Sequence, residues 1–221
     1  MQQIYGAKSD SVYIFIHGKN GNKEEGEDFA NCICNKGYQV LSIDLPGHGE
    51  RKGENNTFNP WHVIPELKEV MKYAKENWSK IGLRANSIGA WFSMISFQGE
   101  HLIKSLFVSP IVDMEKLILD MMKWANVSEE KLEKEQEIET SFGETLSWKY
   151  YNFAIEHRIE KWDIPTVVLY GDKVNLTNKA TIESFVKKFN CNIKVMEHGE
   201  HWFHTSEQME VLRKWTIDEI N

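Results

Sequence analysis

At 221 residues and 41% hydrophobic side chains the chain can bury one large core, so a single domain, or one domain with an insertion, is expected. The formal charge of −7, with lysines scattered rather than striped, excludes the basic footprint of a nucleic-acid or anionic-membrane binder and points to a small-molecule or peptide partner. Cys32, Cys34 and Cys191 are an odd number and Met1-Gln2-Gln3-Ile4 shows no basic end followed by an apolar stretch, so a cytoplasmic location is expected. No apolar run approaches the roughly 18 residues that span a bilayer, and the oligomeric state leaves no trace in the sequence.

Ser11 to Ile16 is a continuous apolar, β-branched and aromatic run ending at His17-Gly18, the mark of a strand buried on both faces. Glu24 to Asn35 carries Phe29, Ala30 and Ile33 at helical spacing, closed by Gly37; Cys32 and Cys34 lie in this helix and read as packing rather than as a metal or redox pair. Tyr38 to Ile43 is the next strand, stopping at Asp44-Leu45-Pro46-Gly47-His48-Gly49. Asn59-Pro60 opens a long helix with Val63, Leu67, Val70, Met71, Ala74 and Trp78 on one stripe. A short apolar run then stops at Ser87 and an amphipathic segment begins at once, and Ile103 to Val108 is a further strand ending at Ser109-Pro110. Strands alternating with helices imply a mostly parallel, doubly wound α/β sheet of about six strands, because parallel neighbours need helical crossovers.

The alternation lapses over 111–162. Leu117, Ile118, Met121, Met122 and Trp124 suggest a helix, Ser128 to Glu139 is a charge run, and Trp148, Tyr150, Tyr151 and Phe153 form an aromatic cluster. This stretch reads as a small helical cap inserted within the single domain 1–221, with the charge run as its solvated face. Order returns with the strand Pro165 to Tyr170, which runs into Gly171-Asp172, a helix over Thr181 to Phe189, a last strand over Asn192 to Met196, and a closing helix introduced by the capping pair Thr205 and Gln208.

In such sheets ligands bind at the carboxyl ends of the strands, where His17, Asp44, Ser87 and Ser109 all fall. Ala85-Asn86-Ser87-Ile88-Gly89 follows the G-x-S-x-G elbow with alanine for the first glycine, which keeps a small residue at the crowded position. A serine between strand and helix is also a common N-cap, so the motif alone leaves both roles open. A serine hydroxyl needs a base, an acid to orient that base, and donors for the developing oxyanion. Ser87 is the candidate nucleophile, His201 the base, Asp172 the acid, and the Lys19 and Ile88 backbone N–H groups the oxyanion donors. His198, His201 and His204 have the spacing H-x-x-H-x-x-H, but a strand-to-helix turn would not align them, so neither a metal nor any other cofactor is expected. His17 and His48, each beside a glycine, read as loop braces.

Over nearly its whole length the chain resembles the α/β-hydrolase superfamily: His17-Gly18 after the first strand, Asp44-Leu45-Pro46-Gly47-His48-Gly49 after the second, the Ser87 elbow, the insertion, and Gly199-Glu200-His201-Trp202 near the end. The resemblance implies a serine hydrolase that cleaves an ester-type bond, carboxylic ester or thioester, through an acyl-serine; an amide is also within the family's range. It also implies an acid three residues beyond the glycine that ends the penultimate strand, where this chain has Val174. Asp172 therefore competes with Asp113, whose other reading is a cap for the helix beginning near Met114. Three readings follow: an esterase or thioesterase acting on small or medium acyl groups, a peptidase or amidase, and a catalytically weak binding protein on the same fold.

Overall fold

Val12 to Ile16 are all buried to within 2% exposure, as a strand covered on both faces requires. They lie in β2 (Ser11–Ile16) of a computed structural model that describes residues 2–54, 56–173 and 176–220. The other elements are β1 (Gln2–Tyr5), α1 (Gly26–Ile33), β3 (Gln39–Ile43), α2 (Pro60–Asn77), β4 (Lys80–Asn86), α3 (Ile88–Ser96), β5 (Ser105–Val108), α4 (Met114–Trp124), α5 (Glu129–Glu135), β6 (Glu137–Glu139), β7 (Thr145–Ser147), α6 (Trp148–Glu156), β8 (Thr166–Gly171), α7 (Lys179–Lys188), β9 (Asn192–Met196) and α8 (Ser206–Glu219).

Among the described residues seven strands form the main sheet in the order β1-β3-β2-β4-β5-β8-β9. Every pair is parallel except β1 with β3. The count exceeds the expected six because of β1, a short edge strand whose first three residues are exposed and whose sequence has no apolar run to betray it.

Strand alternation sends Tyr13 and Phe15 to one face, where they pack with Phe29 and Ile33 of α1 and Trp215 of α8. Local signals set the helix ends. Asn59 caps α2 by accepting from the His62 N–H, with Pro60 in the first turn, and Thr205 caps α8 by accepting from the Gln208 N–H. The Gln208 side chain accepts from the His204 N–H rather than from Thr205, so the expected capping box closes one residue early.

The chain divides into two compact units, residues 1–112 with 161–221, and residues 113–160. The second unit holds α4, α5 and α6, and also a two-stranded antiparallel hairpin, β6 with β7, which the sequence reading of a small helical cap did not include. Within that unit Arg158 pairs with Glu115, and Trp124 meets Phe142 edge to face at 6.1 Å.

Candidate active site

Ser87 stands between β4 and α3 with φ 49° and ψ −123°, a left-handed conformation that costs a non-glycine residue about 1–3 kcal/mol. It is held there from both sides: its N–H donates to the Val108 carbonyl at 3.0 Å and its carbonyl accepts from the Ile111 N–H at 3.0 Å. Its side chain makes no capping hydrogen bond to α3, so the reading of Ser87 as an N-cap does not hold. The hydroxyl instead lies 2.7 Å from His201 Nε2.

His201 is delivered by the loop after β9. That loop is pressed against the end of β8, where the Lys173 N–H donates to the Gly199 carbonyl at 2.9 Å and a Cβ on Gly171 would run into the same carbonyl. Burial alone pushes the imidazole down to about 4, and no charged group contributes to the shift. The ring is therefore neutral at ordinary pH, the state a general base requires. Its Nδ1 is buried and has no hydrogen-bond partner among the described residues.

The structure does not bring the expected acid to this nitrogen. Asp172 is exposed, its N–H donates to the Met196 carbonyl at 3.2 Å, and its charge acts on Tyr170, where burial first and then Asp172 raise the phenol. Asp113 accepts from the Lys116 N–H at 2.9 Å and is the N-cap of α4, as its alternative reading has it. Val174 lies outside the described residues. His198 and His204 are exposed, and His204 stacks on Trp202 at 4.6 Å; among the described residues no group of three His, Cys, Asp or Glu is placed to hold a metal ion.

The loop after β2 lies directly over the elbow. A Cβ on Gly18 would sit 3.1 Å from the Ser87 Cβ, and one on Gly89 would strike the His17 carbonyl, so both glycines are required by close backbone approach. The Gly21 N–H donates to the Gly18 carbonyl at 3.1 Å, closing a tight turn around Lys19 and Asn20, with Asn20 at φ 64°. Ile88 supplies the first amide of α3, which has no acceptor within the helix.

His17 and His48 are the braces their loops suggested. His17 Nε2 accepts from the Leu45 N–H at 3.0 Å, which leaves Nδ1 to donate to the Gly18 carbonyl at 2.7 Å. His48 Nε2 accepts from the Asn20 N–H at 3.0 Å and its Nδ1 donates to the Pro46 carbonyl at 2.9 Å. In each ring Nε2 is the acceptor and Nδ1 the donor, and burial pushes His17 down to about 4. Below them Asp44 accepts from the Lys23 N–H and ammonium, each at 2.9 Å. Burial opposes its ionisation, but these bonds hold the carboxyl below its ordinary value.

Sequence reasoning missed Arg84, 2% exposed in β4 three residues before Ser87, and the residues it reaches. A charged residue inside the otherwise apolar stretch Ile81 to Ala85 was the available signal.

No family profile matches the chain, and no curated protein matches it. Solved structures do. Est1E from Butyrivibrio proteoclasticus, with ferulic acid bound, is 19% identical over 100% of this chain and 93% of its own, at a TM-score of 0.78. The mouse alpha/beta hydrolase domain-containing protein 10 is 13% identical over 99% of this chain and 92% of its own, at 0.81. A monoacylglycerol lipase from Paleococcus ferrophilus is 13% identical over 99% and 98%, at 0.69.

Proposed function

From the α/β-hydrolase fold that this chain has, we propose that the protein is a serine hydrolase that cleaves an ester-type bond, carboxylic ester or thioester, through an acyl-serine. The observation that carries the reading is the 2.7 Å contact between Ser87 Oγ and a neutral His201 Nε2 at a strained strand-to-helix turn. His201 takes the Ser87 proton as the oxygen attacks the carbonyl carbon, and the Lys19 and Ile88 amides receive the oxyanion. The imidazolium then protonates the leaving group. Water deprotonated by the same ring attacks the acyl-serine and releases the acid and the free hydroxyl.

Est1E with ferulic acid and a monoacylglycerol lipase among the similar structures favour an oxygen ester over an amide. The segment 111–162 is assigned the role of an inserted cap that sets a preference for small or medium acyl groups. A small-molecule substrate, a cytoplasmic setting and no cofactor complete the proposal.

A second reading, a weakly active protein that binds rather than turns over its ligand, is favoured by the Nδ1 of His201, which has no hydrogen-bond partner among the described residues. An ester turns the two apart. With p-nitrophenyl acetate to octanoate, a hydrolase gives steady release of p-nitrophenol over many turnovers, preceded by a burst where deacylation is the slower step, and Ser87→Ala gives neither. Wild-type protein that binds these esters without releasing p-nitrophenol would establish the second reading, and rates rising steadily through octanoate to longer chains would overturn the acyl preference.

A further inference from the structure

Arg84 is a buried cation without an ion-pair partner among the described residues, an arrangement a fold does not keep cheaply. Three aromatic rings enclose its guanidinium, with the Phe15, Phe29 and Trp215 centroids 5.9, 5.8 and 5.7 Å from Cζ. Its Nη1 donates to the Asn86 Oδ1 at 2.7 Å and, more weakly, to the Ala85 carbonyl at 3.3 Å. That bond fixes which end of the Asn86 amide faces which way, so Nδ2 turns to Glu25 Oε2 at 3.5 Å.

Glu25 belongs to the other side of the site. Its Oε1 lies 2.6 Å from where a Cβ on Gly21 would stand, which places it against the turn Gly18 to Gly21 that carries Lys19 over Ser87. Desolvation raises the Glu25 carboxyl, and the Asn86 side chain, the Asn22 amide and the Arg84 charge each act to keep it ionised. Arg84 and Asn86 are rooted in the strand that ends immediately before Ser87, whereas Glu25 and Gly21 are rooted in the segment after β2.

We propose that Arg84, Asn86 and Glu25 form a positioning chain that locks the oxyanion turn onto the Ser87 elbow, with the caged guanidinium as its fixed end. None of the three touches the reacting atoms. Asn86 acts because it both precedes Ser87 and bridges the two charges. The inference rests on the hydrolase reading and adds to it the residues that preorganise the donors.

The test compares wild type with Glu25→Gln, Asn86→Ala and the double variant, on p-nitrophenyl butyrate and with a trifluoromethyl ketone whose tetrahedral adduct on Ser87 presents an oxyanion to the turn. Each single variant is expected to lower kcat about 10- to 100-fold with KM within about twofold, and to raise the ketone's Ki in parallel. The double variant is expected within about threefold of the worse single one, because one chain broken twice is still one broken chain. Because glutamine keeps the length and shape of the glutamate, the Glu25→Gln variant is expected to melt with the wild type. Unchanged kcat and Ki, or losses that multiply in the double variant, would overturn the chain while active wild type left the hydrolase reading standing. Wild-type protein inert to both ester and ketone would overturn the hydrolase reading and this inference with it.

Discussion

Ser87 and His201 illustrate how much of the chemistry is written in backbone placement. The serine gives up an ordinary backbone conformation, and in return its hydroxyl leaves the helix amides and meets the imidazole at 2.7 Å. Both residues were legible in the sequence because each follows the end of a strand, where an α/β sheet collects its ligands. The acid was not legible. Whether Asp172 reaches a ring depends on the course of one loop, and here its N–H is tied to Met196 and its carboxylate faces solvent. The bridge from Asn86 to Glu25 was hidden for a different reason: it joins residues 61 apart in the chain. One prediction belongs at this scale. Because burial depresses His201 to about 4, its neutral form persists well below the usual histidine range. The acid limb of kcat/KM should therefore fall at about pH 4 to 5 instead of near 6.5. A limb near 6.5 in a pH–rate profile would show that the ring is solvated or paired with a carboxylate in solution.

Among the elements, the long or fully buried ones were readable and the short ones were not. β2 and β8 announce themselves by their apolar runs Val12 to Ile16 and Val167 to Tyr170, β3 by Val40, Leu41 and Ile43 ahead of a proline- and glycine-rich loop, and α2 by its stripe and its Asn59-Pro60 start. β1 holds its place through cross-strand pairing with β3, which leaves no periodicity in four mostly exposed residues. The hairpin strands β6 and β7 are three residues each, too short to stand out from the charge run beside them. At the junction of elements, the fit of α3 under the loop after β2 depends on Gly89, where any Cβ meets the His17 carbonyl. Gly89→Ala should therefore destabilise the protein by about 2–4 kcal/mol and lower kcat as the turn lifts from Ser87. Urea titration measures the first effect and ester turnover the second; an alanine variant as stable as wild type would mean that loop and helix can separate without cost.

For the molecule as a whole, the acidic side of neutrality is where stability is spent. His17 is fully buried and neutral, accepting the Leu45 N–H, with its folded-state value about 4 against 6.5 in an unfolded chain. The unfolded chain therefore binds a proton first, so stability is flat above pH 6.5 and falls as pH drops from there toward 4. His17 alone removes about 2 kcal/mol between pH 7.5 and pH 5. The half-buried His201 is depressed in the same direction and adds to the loss. Urea midpoints at the two pH values check this, and His17→Gln, which keeps an acceptor without a titrating ring, should flatten the dependence. Equal midpoints for wild type would contradict the buried neutral state.

The central claim is that Ser87 is activated by His201 without help from Asp172 or Asp113. The direct measurement is the rate of fluorophosphonate labelling, with the modified peptide identified by mass spectrometry, for wild type, His201→Ala, Asp172→Asn and Asp113→Asn. The account predicts label on Ser87 alone, a rate reduced by about 10³-fold or more in His201→Ala, and rates within about threefold of wild type in both aspartate variants. Label that survives His201→Ala, or that is lost in either aspartate variant, would contradict it.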